Sequence, residues 1–234
     1  EDAWLADVLR IPPVLVFSGH MLDQQGRAVP RFPAQLEGAV ARAIEEGLDG
    51  IRPLAAYGSA ACGADILCLE RAHALGGEIH VVLPFPAEEF RRTSVDLAGR
   101  DWGERFERLL GCAHSVTIAS DHRATGSAAP FEYANLVLTG MGQLRAQLLD
   151  TALHGLAVWD PAGGGSPGGT ESLVAVWERR GLPIRHVRLD ELRPAGTPPD
   201  RGAAEREPAV AGRSSHRIKA LLFADAVGYS LLTE

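Results

Sequence analysis

Short apolar runs alternate with stretches of helical spacing along this chain. Val14 to Phe17 is the first run, closed by Ser18-Gly19-His20 and a loop to Pro33. From Ala34 to Glu46 the apolar positions Leu36, Val40, Ala43 and Ile44 recur three and four apart, which predicts a helix. Ile51 to Tyr57 reads as a second strand. It runs into Gly58-Ser59-Ala60-Ala61-Cys62-Gly63-Ala64-Asp65 and a helix that Gly76-Gly77 stops. Glu78 to Leu83 is a third strand, ended by Pro84-Phe85-Pro86, and EEFRRTSVD a short helix. Asp101 to Leu110 is amphipathic, with Trp102, Phe106, Leu109 and Leu110 inward as core. Ser115 to Ala119 is a fourth strand and Phe131 to Leu149 a long helix. Leu156 to Trp159 is a fifth strand, Gly169 to Arg180 the last helix, and Ile184 to Leu189 a sixth strand. At the start, Trp4, Leu5, Val8 and Leu9 share one face of a short helix. Strands alternating with helices predict an α/β fold in three layers, with a mostly parallel sheet of about six strands covered on both faces.

After Asp190 the pattern is lost. Residues 191–216 are rich in Pro, Gly, Ala and charge, and read as a flexible linker. Apolar residues return in 217–234. The expected organisation is a domain over 1–190, the linker, and a truncated second segment of a longer protein.

Composition narrows the partners. A net charge of −7 disfavours nucleic acid, which needs a basic face. Three cysteines (Cys62, Cys68, Cys112), with no CxxC pair, suggest reduced thiols, a cytoplasmic setting and no metal site. No apolar run reaches the ~18 residues of a membrane span, and no leader pattern is present.

The candidate chemistry lies after the strands. In an open parallel sheet, ligands bind beyond the carboxyl ends of the strands. Ser18-Gly19, Gly58 to Asp65, Pro84-Phe85 and the glycine loop 163–170 all fall there. The loop enters a helix at Gly168-Gly169-Thr170, and a helix N-terminus with close backbone approach suits a phosphate. Ser59 and Thr170 are candidate hydroxyl donors to phosphate. Phe85 and Trp159 are candidate stacking faces for a base, and Asp65 and Asp160 candidate partners of a ribose. Gly63 and Asp65 are open to a second reading, tight helix–strand packing with Asp65 at the helix start. The segment EEFRR (88–92) reads as a surface patch or a lid, and Glu70 as a solvated face residue. His20, His73, His80, His114, His122 and His154 are scattered and read as structural. Neither GxGxxG after the first strand nor GxxxxGK[ST] occurs, which disfavours an ordinary dinucleotide site and a Walker-type ATPase.

Two resemblances sharpen this. Phe223, Asp225, Gly228, Tyr229 and Ser230 resemble the opening strand of class III adenylate/guanylate cyclase domains. That resemblance implies Asp225 as a metal carboxylate, binding Mg or Mn in an intact cyclase domain, and a homodimer formed through it. Residues 12–190 resemble the SLOG superfamily of Rossmann-like domains, which includes LOG- and DprA-like members. The carriers are GSAACGAD (58–65), VVLPF (81–85), EFRRTSV (89–95) and PGGT (167–170). This implies a nucleotide-derived ligand. The LOG enzymes carry PGGxGTxxE, whose Glu supports N-glycosidic cleavage. Here SPGGTESL lacks the spacer, and Leu173 stands three residues after Thr170, with Glu171 out of register.

The expectation is a regulatory domain that binds a nucleotide-derived small molecule without turnover or cofactor and acts on a cyclase domain in cis. The alternative is a phosphoribohydrolase using Glu171 or Asp160, and a third reading is an interaction scaffold without ligand.

Overall fold

The computed structural model describes residues 11–24, 27, 30–99, 101–121, 127–161 and 168–193. The expected helix at 1–10, the middle of the glycine loop, His122, Asp225 and the chain from 194 onward lie outside the described residues.

Among the described residues six strands form one sheet: β1 (Val14–Gly19), β2 (Ala55–Gly58), β3 (Glu78–Leu83), β4 (Ser115–Ile118), β5 (Leu153–Trp159) and β6 (Ile184–Arg188). Their order is β4-β3-β2-β1-β5-β6, with every neighbouring pair parallel. The helices are α1 (Glu37–Ile51), α2 (Ala64–Ala74), α3 (Ala87–Ser94), α4 (Trp102–Cys112), α5 (Ala129–Leu148) and α6 (Thr170–Arg179). This is a Rossmann-like α/β fold, and the sheet is wholly parallel among the described residues.

Both faces of a parallel sheet are covered, so its strands carry apolar residues at successive positions. The pleat sends them alternately to two cores. Leu15, Phe17, Ala56, Val81, Leu83, Leu156 and Val158 pack with α1, α2, α3 and α4 on one face. Val14, Val16, Ala55, Tyr57, Val82 and Ala157 pack with α5 and α6 on the other. Trp102 and Phe106 are core, as their spacing predicts. Trp177 of α6 is fully buried and donates its indole N–H to Thr139 of α5 at 3.1 Å, which satisfies the one polar atom the ring buries.

Element ends shift by a few residues from the sequence reading, β5 for example starting at Leu153, and one residue changes element. Ile51 ends α1 instead of opening β2, because it falls on the same helical face as Ile44 and Leu48 and packs with them. Arg52 then turns left-handed (φ 47°) with its amide on the Leu48 carbonyl, and Pro53 forbids further helix.

Two charged segments are also fixed more firmly than their composition suggests. Glu70 is half-buried and paired with Arg105, which also holds Glu37 at 3.1 Å and lies 4.0 Å over the Trp102 ring. In EEFRR, Phe90 is buried, and Arg91 joins Asp96 (3.2 Å) to Glu107 of α4 (2.9 Å), so α3 is anchored on the α4 face. No helix among the described residues is long and apolar enough to cross a membrane. No group of three metal-ligating side chains occurs among them either.

Candidate functional site

The chain leaves β1 on one face of the sheet and β5 on the other, and these two strands are neighbours. Such a switch point opens a crevice beyond the carboxyl ends of the strands. Ser18 and Gly19 end β1, Trp159 ends β5 with Asp160 after it, and α6 starts at Thr170. Ser18 Oγ and Thr170 Oγ1 are hydrogen-bonded at 3.1 Å, across 152 residues of sequence. Gly169 caps α6 in extended backbone (φ −83°, ψ −178°) and presents the first turn of the helix here. Gly168 has φ +79°, and a Cβ on it would meet Phe131 Cβ at 3.0 Å and the Ala128 carbonyl at 3.1 Å. Only glycine combines that torsion with that closeness. Asn135 of α5 holds the Gly168 carbonyl at 2.9 Å. The exit of the glycine loop is therefore set by α5, with Thr170 buried and Gly168 and Gly169 half-buried.

His20 stands at the centre of this junction, in contacts that fit its structural reading. Its backbone amide bonds the Val158 carbonyl at 2.8 Å, and its ring donates to the Asp160 carbonyl. Its Nε2 is buried with no partner among the described residues. Burial, then the charges of Arg31 and Arg27, push the imidazole down to about 4, with the Asp160 carbonyl offsetting in part. At neutral pH His20 is uncharged, and Nε2 is a bare acceptor. Asp160 is 6% exposed and paired with Arg193 at 3.0 Å, which also reaches the Pro30 carbonyl. The signal for His20 was its place, directly after the first strand, and not its residue type. Arg31 carried no sequence signal because it stands twelve residues past β1, and Arg193 carried none because it falls in the stretch whose composition reads as linker.

The other candidates are distributed differently. Gly19 lies between α2 and β5: a Cβ there would stand 2.3 Å from Ala64 Cβ and 2.9 Å from Val158 Cβ. At Gly58 a Cβ would fall 2.1 Å from the Phe17 ring. Both glycines serve packing between chain segments. Gly63 has φ +101°, and its bridge to Met21 ties the second loop to the segment after β1. In that loop the Cys62 amide bonds Ser94, the Ala64 amide bonds His20, and the Ala61 amide points at Asp65. With these N–H groups committed to the protein, the loop is a brace. Asp65 is buried at the start of α2 and takes the Gly19 amide as well. Burial pushes its carboxyl up to about 7, the amides of Ala61 and Gly19 offsetting in part. The packing reading of Gly63 and Asp65 is thus the one the geometry carries. Pro84 is buried, and Phe85 is fully buried with its ring edge-on to Phe131 at 5.5 Å and near Phe90, so it offers no stacking face. Ser59 is half-buried at the end of β2. Trp159 is half-buried and donates its indole N–H to His186 at 3.2 Å. Glu171 is exposed, and Leu173 is buried in the core.

No family model and no curated protein sequence matches the chain. The solved structure of the Moco carrier protein of Chlamydomonas rheinhardtii aligns at 12% identity over 76% of each chain, with a TM-score of 0.39. DNA processing protein A (DprA) of Streptococcus pneumoniae aligns at 17% identity over 80% of this chain and 62% of its own, with a TM-score of 0.35. The fold assignment rests on the strand order itself.

Proposed function

We propose that the crevice between β1 and β5 binds a phosphate-bearing, nucleotide-derived ligand, and that this domain senses it without consuming it. The observation that carries the reading is the junction of Ser18 and Thr170, 3.1 Å apart at the switch point and at the start of α6. Two hydroxyls and a helix N-terminus meet there, the groups that hold an anion without a bound cation. His20 Nε2 adds an acceptor for a ligand hydroxyl, and Trp159 an aromatic ring. Arg27 and Arg31 lower the affinity of His20 for a proton and favour a negative ligand by the same field. The sensing reading also draws on Glu171 and Leu173: α6 offers no buried carboxylate for N-glycosidic cleavage.

The resemblance of residues 220–230 to a class III cyclase start extends the proposal. Ligand occupancy would bias the arrangement of two cyclase domains in a homodimer, in the cytoplasm, and so change the output of cyclic nucleotide. Asp225 would hold one of the Mg or Mn ions there.

Calorimetric titration of the chain with AMP, ADP, GMP and GDP tests the binding step. Gly169→Val should weaken binding at least tenfold with an unchanged unfolding midpoint, because its backbone suits any residue while a branched Cβ blocks approach to the helix start. Heat of binding unchanged in that variant places the ligand elsewhere. Release of free base during the titration overturns the non-catalytic reading.

A further inference from the structure

A second constellation lies away from the crevice, on the α5 face of the sheet at β3 and β4. Glu78 and His80 are two apart on β3 and so share a face. The register of β4 sets Ser115 directly beside His80. His80 Nδ1 and Ser115 Oγ are 2.8 Å apart, and His80 Nε2 is 3.2 Å from Glu78 Oε2. Tyr57 stacks on the imidazole at 4.3 Å and 6°, and Arg145 of α5 pairs with Glu78 at 2.9 Å. The hydrogen bonds leave one arrangement of protons. A carboxylate only accepts, so Nε2 carries the hydrogen and donates to Glu78. Nδ1 then holds a lone pair, and the Ser115 hydroxyl donates to it. Nucleophile, base and orienting acid stand in sequence, the relation that activates a serine.

We infer that Ser115, His80 and Glu78 form a nucleophilic triad that hydrolyses small, uncharged acyl esters, independently of the proposed nucleotide crevice. The titratable and charged groups facing His80 are Glu78 on its own strand, Tyr57 on β2, Arg145 on α5 and His114 before β4. Burial holds His80 below the usual imidazole range, partly offset by Glu78, so at pH 7 the ring is neutral and Nδ1 keeps its lone pair. Ser115 is half-buried on the edge strand, where alternate backbone N–H groups point away from the sheet and can receive an oxyanion.

The reaction balances with water alone. Ser115 Oγ bonds to the acyl carbon as its proton passes to Nδ1. The tetrahedral intermediate collapses, the alkoxide takes that proton, and the alcohol leaves. Water then gives a proton to Nδ1 and attacks the acyl-serine. Ser115 Oγ departs with the proton, and the carboxylic acid is released. Glu78 stabilises the imidazolium in both halves.

An alkyl fluorophosphonate tests the site, with the adduct located by peptide mass spectrometry and p-nitrophenyl acetate turnover followed in parallel. A single adduct at Ser115 with loss of fluoride is expected. Ser115→Ala should abolish it, and His80→Gln should slow it at least a hundredfold. Glu78 raises the affinity of His80 for a proton, so Glu78→Gln should move the pH of half-maximal labelling downward, which a packing role alone would not do. No adduct at Ser115 in the native chain between pH 6 and 9 overturns the proposal without any variant. Labelling at Ser115 that is unchanged in His80→Gln overturns it equally.

Discussion

Gly58→Ala should lower the stability of the domain by about 3 kcal/mol, the upper range for overpacking a core. At this size that is a fall of about 6–12 °C in the unfolding midpoint. The added Cβ would lie 2.1, 2.2 and 2.7 Å from three atoms of the Phe17 ring. Phe17 is 1% exposed on the neighbouring strand, so its ring has no solvent to move into. Gly140→Ala is the contrasting change: nothing lies within 4 Å of its Cβ position on α5, and alanine favours helix by up to about 1 kcal/mol. Gly58→Ala in a Phe17→Leu background should cost less than the same change in the native chain, since the two sites share the clash. Chemical denaturation of the four combinations decides it. An additive result would mean that the strands move apart and that the ring does not set the limit.

The same glycine shows where the sequence is readable and where it is not. The α/β alternation was legible because burial on both sheet faces leaves continuous apolar runs, and Glu78 to Leu83 keeps its predicted bounds. That Ser18 and Thr170 meet was legible only in outline, since each stands at or after a strand end and only the fold supplies the order of the strands. Glycine itself was ambiguous. A backbone that must approach a ligand and one that must approach Phe17 or Ala64 both require the loss of Cβ, so Gly19 and Gly58 read as ligand glycines. Phe85 misled for a related reason, because an aromatic ring after a strand suits a base or a core equally. His80 and Ser115 carried no mutual signal. Their contact depends on strand register, and 35 residues separate them.

Asp65→Asn should gain stability relative to the native chain as pH rises from about 4 to 7, by on the order of 4 kcal/mol. The carboxyl titrates near 3.8 in the unfolded chain and at about 7 in the fold, so the folded state binds the extra proton in that window. Stability is therefore lost as pH rises through it, and asparagine removes that loss. His20 works in the opposite sense. Its pKa falls from 6.5 to about 4 on folding, so the unfolded state binds the extra proton and stability is lost as pH falls from about 6.5 to 4. His20→Asn lacks this dependence, so it should lose ground to the native chain as pH rises from about 4 to 6.5, by roughly 3 kcal/mol. Urea unfolding at half-unit pH steps gives both difference curves, and slopes common to all carboxylates cancel in them. Curves of the same sign, or flat ones, would show that the two groups are not buried as described. Opposite signs would mean that the two groups at the end of β1 offset one another. Asp65 holds the Gly19 amide and His20 the Asp160 carbonyl, so two opposed pH dependences would meet where β1 ends.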